Sequence, residues 1–206
     1  MRTWLNSSAL GLQSIIQVVD ESFTDKWYGE GTVDVALKAV GRLSFDDGGS
    51  MNGWDGASWM YKDENQENYR AYFKHSIDGS VDQWEDLIEF SRIADKIKTP
   101  DAVYDGQIDS ALDVEAFFRV MAPRILMSDW DAFLVGNGHN GYFVHSTTDG
   151  AWRLLPFDMD LTFGNPAPAL FPTADPGAVR LMARPGPKRT YYRVLADMLD
   201  GYWSSS

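Results

Sequence analysis

Residues 128–164 read SDWDAFLVGNGHNGYFVHSTTDGAWRLLPFDMDLTFG, and this stretch decides how the rest of the chain is understood. The end of a helix delivers Asp129 and Asp131 into a loop that carries two amides, Asn137 and Asn140. Glycines at 136, 138 and 141 let that loop turn tightly. Tyr142 to Ser146 and Trp152 to Leu155 alternate as strands about a Thr148-Asp149-Gly150 turn, which predicts a β-hairpin. The hairpin runs straight into Pro156-Phe157-Asp158-Met159-Asp160, followed by Phe163-Gly164. A hairpin brings its two flanking segments together at its open end, so two acidic clusters are expected side by side there. Carboxylates next to asparagine oxygens suit a hard cation such as Mg²⁺, which takes oxygen ligands and shares them with substrate phosphates. A helix, an Asp, an Asn several residues on, a hairpin and a second acidic motif near Phe and Gly thus follow one another in that order.

Taken singly, these residues have blander explanations. An Asp-x-Asp triplet also occurs in calcium loops, in sugar-nucleotide sites and as solvated charge, while Asn-Gly and Asp-Gly are turn formers. The joint arrangement is what points to chemistry, because clustered carboxylates leading off buried strands are costly without a cation or partner. His139 reads as a structural loop residue, and no Ser/His/Asp arrangement stands out.

Upstream, Asp113 is a natural N-cap for a helix whose Val114, Phe117, Phe118, Met121 and Ile125 form a core stripe, with Pro123 near its end. Asp82 and Glu85 make a capping box for an earlier helix, with Trp84, Leu87, Ile88, Ser91, Ala94 and Ile97 on one face and Thr99-Pro100 as its stop. Residues 101–109 read as a loop and a hinge. Nearer the N-terminus, Thr3 to Val19 predicts one or two strands turning at Asn6-Ser7-Ser8, and Asp20 to Tyr28 a short helix. Gly41 to Asn52 is turn-rich, and Trp59-Met60-Tyr61-Lys62 and Ala71-Tyr72-Phe73-Lys74 read as short strands. Downstream, residues 164–187 are proline-loaded and read as a surface loop. A last helix begins near Thr190 with Tyr191, Leu195, Met198 and Tyr202 on one face.

The 206 residues carry 30 acidic against 18 basic side chains, a formal charge of −12. A nucleic-acid binder needs a basic face to offset phosphate charge, so nucleic acid is not an expected partner. With no cysteine, disulfides, thiolate zinc sites and cysteine nucleophiles are excluded. No apolar run approaches the about 20 residues of a membrane span, and MRTWLNSSALG lacks the apolar centre of a signal peptide.

At Trp130-Asp131, Gly136 to Phe143, Leu155 to Asp160 and Phe163-Gly164 the chain resembles the CotH kinase family, the atypical kinases related to spore coat protein H. That family's signature is an Asp, then N-x-H-N-Y-Y, then P-W-D-x-D and F-G. Asn6 to Asp20, Trp59 to Lys62, Tyr72 to Lys74 and Leu181 to Trp203 resemble its flanking hairpin, strands and helix, so the likeness spans nearly the whole chain. The resemblance implies an α+β, divergent two-lobed protein-kinase-like fold. Residues 1–100 would be a partial N-lobe of strands plus one helix, and 101–206 a mainly helical C-lobe with a catalytic loop at 129–141 and a metal motif at 156–164. It implies ATP and Mg²⁺ (or Mn²⁺) as cofactors and a protein Ser/Thr acceptor as partner. Asp131 matches the catalytic aspartate, Asp158 and Asp160 the metal-holding pair, and Asn140, with Asn137, an amide ligand of metal or phosphate. Lys62 and Lys74, on candidate strands, could approach the nucleotide's phosphates, against the reading of each as a snorkelling surface lysine. Departures are Gln13 and Gln17 where the family has Tyr and Glu, Phe157 for Trp, and a missing upstream basic stretch, which implies an N-terminally incomplete domain. An extracellular or spore-surface location would follow from the family alone.

Two other functions compete. One is a non-catalytic module of the same fold, serving assembly or surface attachment and binding nucleotide or cation without turnover. The other is a metal-dependent transferase using Asp158 and Asp160 on a sugar nucleotide, against which stands the lack of a preceding dinucleotide-type βαβ unit.

Overall fold

The computed structural model describes residues 2–5, 8–12, 17–45, 47–77, 83–165, 169–171 and 174–201. It is an α+β molecule whose centre is a four-stranded antiparallel sheet in the order β6-β3-β7-β8. These strands are β3 (Val33–Ala39), β6 (Phe73–His75), β7 (Gly141–Ser146) and β8 (Trp152–Pro156). The expected boundary at residue 100 therefore divides the sheet's sequence but not the sheet, since β3 pairs directly with β7 through Leu37↔Phe143 and Lys38↔Tyr142. Two small hairpins accompany it: β1 (Arg2–Leu5) with β2 (Ser8–Leu12), and β4 (Arg42–Phe45) with β5 (Met51–Asp55). The expected turn residues Asn6 and Ser7, and the expected capping residue Asp82, lie outside the described residues.

Alternation along the strands gives the sheet two apolar faces. Val35, Leu37, Phe143, Trp152 and Leu154 join the main core, whereas Ala36, Tyr142 and Val144 join a smaller cluster with Val19. Near that smaller cluster sits α1 (Glu21–Tyr28), started by Asp20, whose carboxylate accepts from the Phe23 amide. The main core is built against α3 (Glu85–Ala94), α5 (Val114–Leu126) and α7 (Pro185–Gly201). Helix α5 begins at Asp113 as expected, its carboxylate taking the Ala116 amide, and runs three residues past Pro123.

Several expectations are corrected. Residues 101–109 are not a loop: α4 (Asp101–Ala111) occupies them, because Tyr104 and Ile108, four apart, both bury completely. Within 164–187 lies α6 (Pro176–Ala183), and α7 already starts at Pro185; proline is tolerated at a helix's first turn, where its missing N–H would find no partner anyway. Trp59 to Lys62 form no strand; the short α2 (Glu67–Arg70) follows them. Trp59 instead is a core hub, its ring 5.0 Å from Phe117, 5.1 Å from Phe90 and 5.8 Å from Phe143. Ile97 falls beyond the end of α3 and is exposed, not on its buried face. Residues 33–39, for which no element is expected from sequence, are a central strand of the sheet.

Candidate functional site

Five non-glycine residues have positive φ among the described residues: Ser128, Leu134, Asn140, Asp158 and Phe163. All lie between the end of α5 and the end of the acidic motif. Left-handed backbone costs a non-glycine residue about 1–2 kcal/mol, so this segment is held by contacts strong enough to impose it, a pattern that clusters at functional sites.

Much of that holding falls to Arg124, a residue the sequence reading passes over. It projects from the last turn of α5 and is buried. Its Nε donates to Asp129 Oδ2 at 2.6 Å. One terminal nitrogen donates to the Asn140 carbonyl at 2.5 Å, and the other reaches the carbonyls of Phe157 (3.1 Å) and Asp158 (3.4 Å). The loop bearing Asp131 and the strand end bearing Asp158 are thus tied to one guanidinium. The β7–β8 register agrees, with Gly141 opposite Pro156 at the hairpin's open end. Phe163 is anchored in turn, its amide donating to the Met127 carbonyl at the end of α5. Asp129 is fully buried, and burial raises its pKa against the opposing pull of Arg124. The sequence signal for Arg124 was a charge between Met121 and Ile125, inside an apolar helix stripe.

Asp131 sits inside its own loop. Asn137 Nδ2 donates to one carboxylate oxygen at 2.6 Å and Asn140 Nδ2 to the other at 2.8 Å. His139 Nδ1 lies 3.1 Å from the Asp131 carbonyl; a carbonyl only accepts, so that nitrogen carries the proton. The expected trio Asp131, Asn137 and Asn140 is therefore assembled, with the Asn140 amide oxygen left as the atom it could offer a cation. The Asp131 side chain is only 9% exposed.

The loop is clamped from outside by the residues after β5. The Ala57 amide donates to Gly138 O at 2.7 Å. Gly138 has φ +69°, and a Cβ there would meet Gly56 Cα at 2.6 Å. Two glycines facing each other permit this backbone contact.

Asp158 and Asp160 are exposed and form no ion pair among the described residues. These two exposed carboxylates, two residues apart in the chain, could hold an oxygen-seeking divalent ion. Asp131, Asp158 and Asp160 do not form a tight three-carboxylate cluster; among the described residues the His/Asp group with mutually close ligand atoms is Asp34, Asp86 and His145. Mg²⁺ needs only one or two protein carboxylates plus phosphates, so the arrangement remains suitable for it.

The lysines divide. Lys62 is half-buried, its ammonium 3.8 Å over the Tyr72 ring, and burial lowers its pKa against the pull of Asp55 and Asp63. Lys74 is exposed on β6 directly opposite Lys38 on β3. Lys38, which the sequence reading omits, places its ammonium 4.1 Å over the ring of Phe157, the residue before Asp158. Like charges opposite one another across strands repel, so the pair marks a place where an anion would be stabilising. The missed signal was Val35-Ala36-Leu37-Lys38, close to the V-A-I-K strand on which protein kinases carry their phosphate-pairing lysine.

Compared with known proteins, the chain matches the family described as CotH kinase protein over residues 6–204. It is 24% identical over 161 residues to Invasin CotH3 of Rhizopus delemar, an alignment covering 71% of this chain and 27% of that protein. The chain thus spans about a quarter of the length of that relative.

Proposed function

The chain belongs to the CotH kinase protein family, and from that premise we propose that it is an atypical protein kinase, moving the ATP γ-phosphate to a Ser or Thr hydroxyl of a protein in a divergent two-lobed kinase-like fold. The observation that carries the reading is the Arg124 guanidinium, which holds the backbones of Asn140, Phe157 and Asp158 at once. It joins an acceptor-side loop to a nucleotide-side motif at the end of one hairpin. Asp131, oriented by two amide N–H donors, receives or aligns the acceptor hydroxyl proton. Asp158 with Asp160 and the Asn140 amide oxygen would hold Mg²⁺, which when bound neutralises charge on the phosphates. Lys38 and Lys74, opposite one another on β3 and β6, would meet the nucleotide's phosphates as point charges.

A second reading, a nucleotide- or cation-binding module without turnover, is favoured by one fact: the Asp131 carboxylate is nearly enclosed by Asn137, Asn140 and His139. Catalytic hydrogen bonds often tighten or reorganise only in the substrate complex, so enclosure alone does not exclude the first reading. Incubation with γ-labelled ATP, Mg²⁺ and a casein-like acceptor separates the two. The kinase reading expects labelled acceptor or labelled chain, and none with Asp158→Ala. A thermal shift that needs ATP and Mg²⁺ together, without label transfer, supports the second reading. Neither label nor joint stabilisation overturns both.

A further inference from the structure

His145, on β7, has an acceptor against each ring nitrogen. Nε2 lies 3.2 Å from the Gly150 carbonyl, which can only accept, so Nε2 carries a hydrogen. Nδ1 faces carboxylates: Asp34 Oδ1 at 2.8 Å and Asp86 Oδ2 at 3.9 Å. Two carboxylates converging on one ring nitrogen are satisfied either by a proton on Nδ1 donated to Asp34 or by a cation held between the three groups.

The three residues come from distant places in the chain, and the fold sets each one. Asp34 is the extra residue of a β-bulge, since Val33 pairs with Ser146 and Val35 with His145 while Asp34 has no partner of its own. Bulges re-aim side chains and recur beside sites. Asp86 lies in the first turn of α3. The His145 ring is steadied by Trp152, with centroids 5.0 Å apart, and its side chain is 12% exposed.

We propose that Asp34, Asp86 and His145 form a site for a divalent transition-metal ion of the Zn²⁺ type, separate from the acidic motif at 156–164. The donor set is one imidazole nitrogen and two carboxylate oxygens, which suits Zn²⁺ over Mg²⁺. Zinc bonds of about 2.0–2.2 Å place tetrahedral ligand atoms roughly 3.3–3.5 Å apart, and the observed 2.8 and 3.9 Å bracket that spacing. Metal binding would draw the half-exposed Asp86 side chain inward and set Asp34 slightly further from Nδ1. The Gly150 carbonyl supplies the outer contact that a ligating histidine's second nitrogen ordinarily makes. Three protein ligands leave a fourth position to water. Bound metal would join β3, β7 and α3 through a contact that no apolar side chain at these positions provides.

The test uses the whole chain, stripped with a chelator and free of nucleotide, so that its outcome is independent of the kinase reading. Titration with Co²⁺ is expected to give a visible d–d band that saturates at one equivalent and is displaced by Zn²⁺. Zn²⁺ is expected to raise the melting temperature and to shift the His145 Nδ1 resonance. His145→Gln should lose the band. Asp86→Asn, at the exposed edge of the cluster, should weaken the affinity at least about ten-fold while keeping the metal-free melting temperature. Absence of the band in the wild-type chain, an imidazole that stays doubly protonated in excess Zn²⁺, or Asp86→Asn binding as tightly as wild type would each overturn the proposal.

Discussion

A fully buried guanidinium survives because its nitrogens are met by acceptors. Arg124 is 1% exposed and spends its donors on one carboxylate and three carbonyls. Removing one partner of a buried pair leaves the other charge uncompensated, at about 3–5 kcal/mol. Arg124→Ala and Asp129→Ala are each expected to lose stability of that order, read as a shift in urea midpoint. Asp129→Asn, which keeps an acceptor for Nε, should lose less. Arg124→Lys should behave nearly as badly as alanine, because an ammonium cannot reach the carbonyls of Asn140 and Phe157 together. Its distinctive effect would be loss of the joint ATP–Mg²⁺ thermal shift, since the two halves of the site part.

Between elements, the decisive contact is backbone on backbone, where the turn after β5 lies against the loop that carries Asp131. Gly138→Ala meets strain twice, from φ +69° and from a Cβ 2.6 Å from Gly56 Cα. Its cost is expected to be about 1–3 kcal/mol, and the Ala57–Gly138 hydrogen bond should break, exposing the Ala57 amide to exchange with solvent deuterium. A comparable junction joins α6 to the core. Buried Asp175 caps α6 through the Ala178 amide and also accepts from Ser58 Oγ and the Trp59 amide. Asp175→Ala therefore removes a cap and a tether together, and should destabilise by more than the roughly 1 kcal/mol typical of a cap alone, measured again by denaturant midpoint.

For the molecule as a whole, the aromatic core makes stability sensitive to alkali. Tyr191 donates to the Leu170 carbonyl at 2.6 Å, and burial pushes its pKa from 10.0 up to about 12. Tyr104, buried beneath the Arg180 guanidinium, is raised by burial as well. A raised pKa means that the fold keeps the proton the unfolded chain would lose. The contribution is thus complete below pH 10 and declines between pH 10 and 12 for Tyr191. Thermal melting followed by tyrosinate absorbance should show this fall, and Tyr191→Phe should flatten it. No helix among the described residues is long and apolar enough to cross a membrane.

The sequence by itself determined the parts that short-range chemistry dictates. The Asp113 cap, the stripe of α5, the hairpin and its Asp149 turn are local patterns, and the spacing of Asp131, Asn140 and Asp158 was readable as one motif. Tertiary structure decided what depends on partners distant in the chain. Val33–Ala39 became the central strand because β6 and β7 flank it, and residues 101–109 became a helix because Tyr104 and Ile108 found a core to enter. Arg124 and Lys38 carry only faint local signatures, and the Asp34–His145 contact carries none. Their significance rests on which groups the fold brings within hydrogen-bonding distance, and a linear pattern does not encode that distance.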